Sequence, residues 1–121
     1  MKKWYIFTVI LLIFLFVTTN VNAEKTNQEE QLLRDTLITL LNPTIKAEII
    51  HYYGYPKQYG LYDAKILDIK REEEGGFSFI VKIQVTTFEA AHNPPYGIET
   101  MTISITPSGT NVLSYTHRGD K

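Results

Sequence analysis

Residues 77–85 read Phe-Ser-Phe-Ile-Val-Lys-Ile-Gln-Val, and this alternation decides the fold. Phe77, Phe79, Val81, Ile83 and Val85 share one parity, while Ser78, Lys82, Gln84 and the following Thr86 share the other, with Ile80 the exception. A period of two with a single apolar side describes a strand in an antiparallel sheet covered on one face. That pattern points both phenylalanines inward. Phe79→Ala is then expected to cost about 3–5 kcal/mol, the range for emptying a buried aromatic site.

Further strands flank this one. Upstream, Tyr62–Arg71 alternates imperfectly: Tyr62, Ala64 and Ile66 have one parity, Leu67 and Ile69 the other, so a bulge is expected near Leu67. Glu73-Glu74-Gly75-Gly76 supplies the turn between the two. Downstream, residues 89–97 read as a long connection. Ile98–Thr106 then places Met101, Ile103 and Ile105 inward and Thr100, Thr102, Ser104 and Thr106 outward. Pro107-Ser108-Gly109-Thr110 turns the chain into a last strand, Val112–His117, with Leu113 and Tyr115 expected inward.

Helical spacing precedes the strands. Leu32, Leu33, Thr36, Leu37, Leu40 and Leu41 recur every three or four residues, which predicts a helix over 28–41, capped by Thr26 or Asn27. Asn42-Pro43 interrupts it, and Ile45, Ile49, Ile50 and Tyr53 predict a second helix over 43–53 that stops at Gly54. Helices first and hairpin-linked strands afterwards are the signature of an α+β domain. The expectation is two N-terminal helices, or one broken helix, on one face of a four-stranded antiparallel meander sheet, in the manner of cystatin-like or NTF2-like folds. The two helices' relative orientation is left open.

The N-terminus has a separate logic. Lys2 and Lys3 precede Tyr5–Val17, which is apolar apart from Thr8; Thr18-Thr19-Asn20 turns polar ahead of Val21-Asn22-Ala23. A basic start, a short apolar run and small residues before a cut describe a secretory signal peptide over 1–23, cleaved after Ala23. The 98 residues left, 24–121, make one domain. Losing Lys2 and Lys3 leaves 10 basic against 13 acidic residues, a net charge of −3. Nucleic acid is an unsuitable partner for such a surface, which lacks a basic stripe to neutralise phosphates. The chain has no cysteine, so neither thiolate metal ligation nor a disulfide framework is open to it. A secreted protein of the cell-wall space, with no stable membrane span after cleavage, is the expectation.

Three groups of residues invite a functional reading. Tyr52, Tyr53, Tyr55, Tyr59 and Tyr62 crowd into one segment, where rings offer flat area for a sugar or peptide. The alternative is that Tyr53 and one or two others simply close the helix end over the sheet. Residues 89–97, EAAHNPPYG, present His92, Asn93 and Tyr96 on a segment stiffened by Pro94 and Pro95, and either the Asn93–Pro94 or the Pro94–Pro95 bond is a candidate for the cis form. A purely steering role for the diproline is the competing view. His51, His92 and His117 lack the spacing that prearranges metal ligands, and no nucleophile elbow, phosphate loop or dinucleotide fingerprint occurs. The sequence therefore names no catalytic residue, metal site or cofactor.

LLNPTI (40–45), Tyr52-Tyr53-Gly54, LYDAKILDIKR (61–71), GGFSF and above all TTFEAAHNPPYG (86–97) resemble a family of short secreted proteins of Bacillus and its relatives, known only as a domain of unknown function. The resemblance implies export and a single small domain, and no activity. The leading expectation is a non-catalytic module binding a peptide, wall component or small ligand through Tyr52, Tyr53, His92, Asn93 and Tyr96. One alternative is a small hydrolase or metal-dependent enzyme using His92 with Glu89 and His117. Another is an inhibitor or accessory factor of a second exported protein, presenting an apolar patch around Ile38, Ile80 and Phe88.

Overall fold

The computed structural model describes residues 2–119, apart from the side chains of residues 14–22. The polar step Thr18–Asn20 and Val21-Asn22, ahead of the expected cleavage point, lie among the side chains outside the described residues. The elements run α1 (Lys2–Tyr53), β1 (Gln58–Tyr59), β2 (Lys65–Arg71), β3 (Phe79–Glu89), a 3-10 turn (Ala90–His92), β4 (Asn93–Thr106) and β5 (Gly109–Gly119). The chain divides into two compact units, Met1–Thr36 and Leu37–Lys121. The first unit is helical throughout its described part, and Trp4, Phe7 and Leu11 stand exposed on it. No helix among the described residues is long and apolar enough to cross a membrane.

The second unit holds an α+β fold with five antiparallel strands. β3 pairs with β4 and β4 with β5, while β1 and β2 both pair with β3. The expected four-stranded meander is β2-β3-β4-β5, and the two-residue β1 is the addition. β2 carries its bulge where the parity slips, between Ile66 and Asp68. The 73–76 turn closes through Gly76 N–H donating to Glu73 O at 2.9 Å.

Residues 37–53 of α1 cover one face of the sheet. Ile38, Leu41, Ile45 and Ile49, at steps of three, four and four, pack with Val81, Ile83, Val85, Met101 and Ile103. Fully burying an aliphatic side chain is worth about 1.5–3 kcal/mol, so this layer supplies most of the drive to fold. Gly54, at φ 78°, ends the helix in a left-handed conformation that Gly adopts without strain, with its N–H donating to Ile50 O at 2.8 Å.

Several expectations change. The helix passes through Pro43 as one element, and Thr26 and Asn27 lie inside it rather than capping it. Buried residues on both sides of Pro43 keep one face of the helix seated on the sheet, which offsets the lost backbone hydrogen bond. The buried stripe is also rotated: Leu32, Leu33 and Leu40 are exposed, and Ile38 is core. Phe77 lies beyond the end of β3 and is 74% exposed, while Phe79 is half-buried with Arg71 over its ring. The 3–5 kcal/mol expected for Phe79→Ala therefore belongs to deeper residues. Leu113 faces outward because a register shift between Thr102 and Ile103 inserts it as an extra residue, leaving Val112, Tyr115 and His117 on the inner side. Phe88 is buried, so neither it nor Ile38 contributes to an exposed apolar patch. Finally, 89–97 is no long loop, since β3 and β4 run almost to its tip and Glu89 pairs with Asn93.

Candidate functional site

At the Gly54 end of the core the inner face turns polar. Glu99 has the same parity as Met101 and Ile103, so β4 must point its carboxylate inward, and it is 0% exposed. Burying a carboxylate is tolerated only when its lone pairs are met. Five contacts do so here. Oε1 accepts from Tyr53 Oη at 2.5 Å and Thr87 Oγ1 at 2.9 Å; Oε2 accepts from Tyr115 Oη at 2.8 Å. His117 Nδ1 lies 3.1 Å from Oε1 and 3.0 Å from Oε2. The strands set this up by register, because Glu99 is paired directly with His117 and Thr87 with Gly97. Tyr53 arrives from the last turn of α1.

The second nitrogen of His117, Nε2, lies 3.1 Å from Gly119 O, an oxygen that only accepts. The Tyr53 and Tyr115 hydroxyls are both pushed well above the usual tyrosine range, by burial first and then by the hydrogen bond and negative charge of Glu99. Gly97 makes the cluster possible. A Cβ at that position would overlap Glu99 Oε1 and lie 2.5 Å from Thr87 Oγ1 and 2.7 Å from Tyr53 Oη.

Rings surround the polar group. Tyr52 stacks on Tyr115 at 5.0 Å and on His117 at 5.2 Å, and meets Tyr53 edge-on at 4.9 Å. The next residues reach the 89–97 turn: Tyr55 Oη donates to Glu89 Oε1 at 3.1 Å, and Lys57 Nζ stands 3.4 Å from the same oxygen. The tyrosine segment and the turn therefore meet, through Glu89.

The other expected site residues serve the turn itself. Asn93 Nδ2 donates to Ala90 O at 2.9 Å, Tyr96 Oη donates to His92 O at 2.6 Å, and His92 stacks on Phe88 with ring centres 4.0 Å apart. Ala91 and His92 both have φ of 61°, and Pro94–Pro95 is the cis bond. Of the residues named for the enzyme alternative, His92 contacts Phe88, Glu89 contacts Tyr55 and Lys57, and His117 contacts Glu99. Among the described residues no three His, Cys, Asp or Glu side chains are grouped to hold a metal ion.

Glu99, Thr87, Tyr115 and Gly97 are absent from the sequence-based site. Glu99 had one local signal, a charged residue on the apolar parity of a strand. The others are recognisable only once the sheet register is known.

The family model described as a protein of unknown function, DUF3888, matches residues 33–118. No curated protein and no solved structure matches the chain.

Proposed function

The chain belongs to the DUF3888 family of proteins of unknown function, and we propose that it acts outside the cell as a non-catalytic module binding a peptide, wall component or small ligand. The observation that carries this reading is the convergence on Glu89. Tyr55 and Lys57 bring the tyrosine segment against the 89–97 turn, beside a ring cluster braced from within by Glu99. Exposed aromatic area on a rigid support binds at low entropic cost. Both oxygens of Glu99 are engaged with internal donors, which suits a brace better than a general base. The export part of the reading rests on the basic start and the apolar run before Ala23.

Two measurements test this. Expressed in a bacterial host, the protein is expected in the medium with its mass starting at Glu24; recovery of only the full-length chain in the cells overturns export. Incubated with wall fragments and secreted proteins, that form is expected to retain a ligand that Tyr52→Ala or Tyr96→Ala releases. Equal recovery by both variants and the unaltered protein removes this surface from the account.

A further inference from the structure

Lys57 is buried with its hydrogen bonds unmade. Its side chain is 0% exposed, and Nζ has no hydrogen-bond partner among the described residues. Buried polar groups in native proteins are nearly always paired, so an ammonium with idle donors marks a place where something else binds. Its charge is already matched. Glu89 Oε1 lies 3.4 Å away and the Tyr53 ring lies beneath at 4.6 Å. Glu89 differs: its Oε1 accepts from Tyr55, and its side chain is 41% exposed, which leaves the carboxylate open to a ligand. Unused buried donors thus stand beside an accessible carboxylate, where the tyrosine segment meets the turn.

We propose that Lys57 and Glu89 together read one secondary amide of a peptide ligand, Lys57 Nζ donating to its carbonyl oxygen and Glu89 Oε2 accepting from its N–H. The proposal rests on the binding-module reading above and names what that surface binds. Charge decides against an anion. The pair is neutral as it stands, and an added carboxylate or phosphate would leave one uncompensated negative charge beside the buried ammonium. An amide brings an acceptor and a donor with no net charge. The surroundings favour a peptide over a sugar, because the Tyr53 hydroxyl beneath the pair is spent on Glu99. What remains beside the pair is ring surface, suited to apolar side chains. On this proposal Tyr55, 45% exposed and bonded to Glu89 beside the ammonium, turns outward to admit the amide to Lys57.

The test is a titration with N-acetyl-trialanine N-methylamide, followed by the backbone NMR signals of the protein. Saturable shifts are expected at Tyr55, Lys57 and Glu89, insensitive to salt between about 50 and about 500 mM because no net charge is exchanged. Lys57→Met, similar in length and without donors, is expected to bind at least about tenfold more weakly, and Tyr55→Phe at least as tightly as the unaltered protein. The N-methylated form of the probe, which lacks amide N–H groups, is expected to produce no shifts, a control that needs no protein variant to fold. Binding by folded Lys57→Met within about twofold of the unaltered protein overturns the assignment, as does equal binding of the N-methylated probe. Displacement of the probe by acetate or phosphate makes it an anion site instead, and stronger displacement by N-acetylglucosamine makes it a glycan site; either result overturns the proposal. If the probe does not bind while tyrosine-dependent capture persists, the amide assignment falls alone; if the probe binds and capture does not depend on the tyrosines, the broader reading falls.

Discussion

The inner face of the sheet has two ends built from the same strands. Toward the middle of the helix, Ile38, Leu41 and Ile45 join Val81, Ile83 and Ile103 in an aliphatic layer. A few residues further along β3, β4 and β5, Thr87, Glu99, Tyr115 and His117 occupy the same parity with a network of polar side chains. Apolar contacts are non-directional, so the first end tolerates swaps of similar volume. Hydrogen bonds are directional and a buried carboxylate is costly when unmet, so the second end accepts almost no change. The fold is driven from one end and made specific at the other.

The largest effect should come from Glu99→Ala, which strips two tyrosine hydroxyls, a threonine and His117 of their acceptor at once. Breaking a buried charged network by removing one partner costs about 3–5 kcal/mol, and urea denaturation should show it; a loss under about 1 kcal/mol would mean that solvent reaches the cluster. Ile103→Ala is expected to cost about 2–5 kcal/mol on the same assay, as cavities in aliphatic cores do. If it costs clearly more than Glu99→Ala, the polar end is peripheral to stability. Gly97→Ala pushes a methyl into the Glu99, Thr87 and Tyr53 oxygens, and should cost about 1–3 kcal/mol by overpacking. A neutral result would show that β4 shifts freely there.

Alkaline pH probes the polar end without mutation. The Tyr53 and Tyr115 hydroxyls are raised in the fold, whereas an unfolded tyrosine ionises near pH 10. Their contribution to stability is therefore fully present below about pH 10 and is lost as the pH climbs above it toward the folded values. The thermal midpoint should fall from about pH 10 upward, and less steeply in Tyr115→Phe. A profile that Tyr115→Phe leaves unchanged would remove that hydroxyl from the sealed network.

Local periodicity carries the apolar end of the comparison and misses the polar one. The alternation of Val81, Ile83 and Val85, the inward Met101 and Ile103, the slip at Leu67 and the stop at Gly54 are all written in spacing between near neighbours. The helix face is less legible, because its leucines and isoleucines form two stripes of similar hydrophobicity. Only the sheet decides that Ile38, Leu41, Ile45 and Ile49 are buried. Leu113 misleads because one inserted residue reverses parity, which no local pattern announces. The Glu99 cluster draws on residues 53, 87, 99, 115 and 117. Its donors are brought together by strand register and helix length, and no stretch of a dozen residues contains them.

Two of the sheet's register shifts, at Leu67 and Leu113, sit on β2 and β5, strands at opposite rims of the sheet. An open rim offers a row of backbone donors and acceptors on which a second chain can assemble, the first step toward fibrils. A bulge breaks the even spacing of that row and twists it aside. Copies of this protein that meet rim to rim are thereby denied a regular ladder, which works against their aggregation in the absence of any disulfide to hold each chain closed.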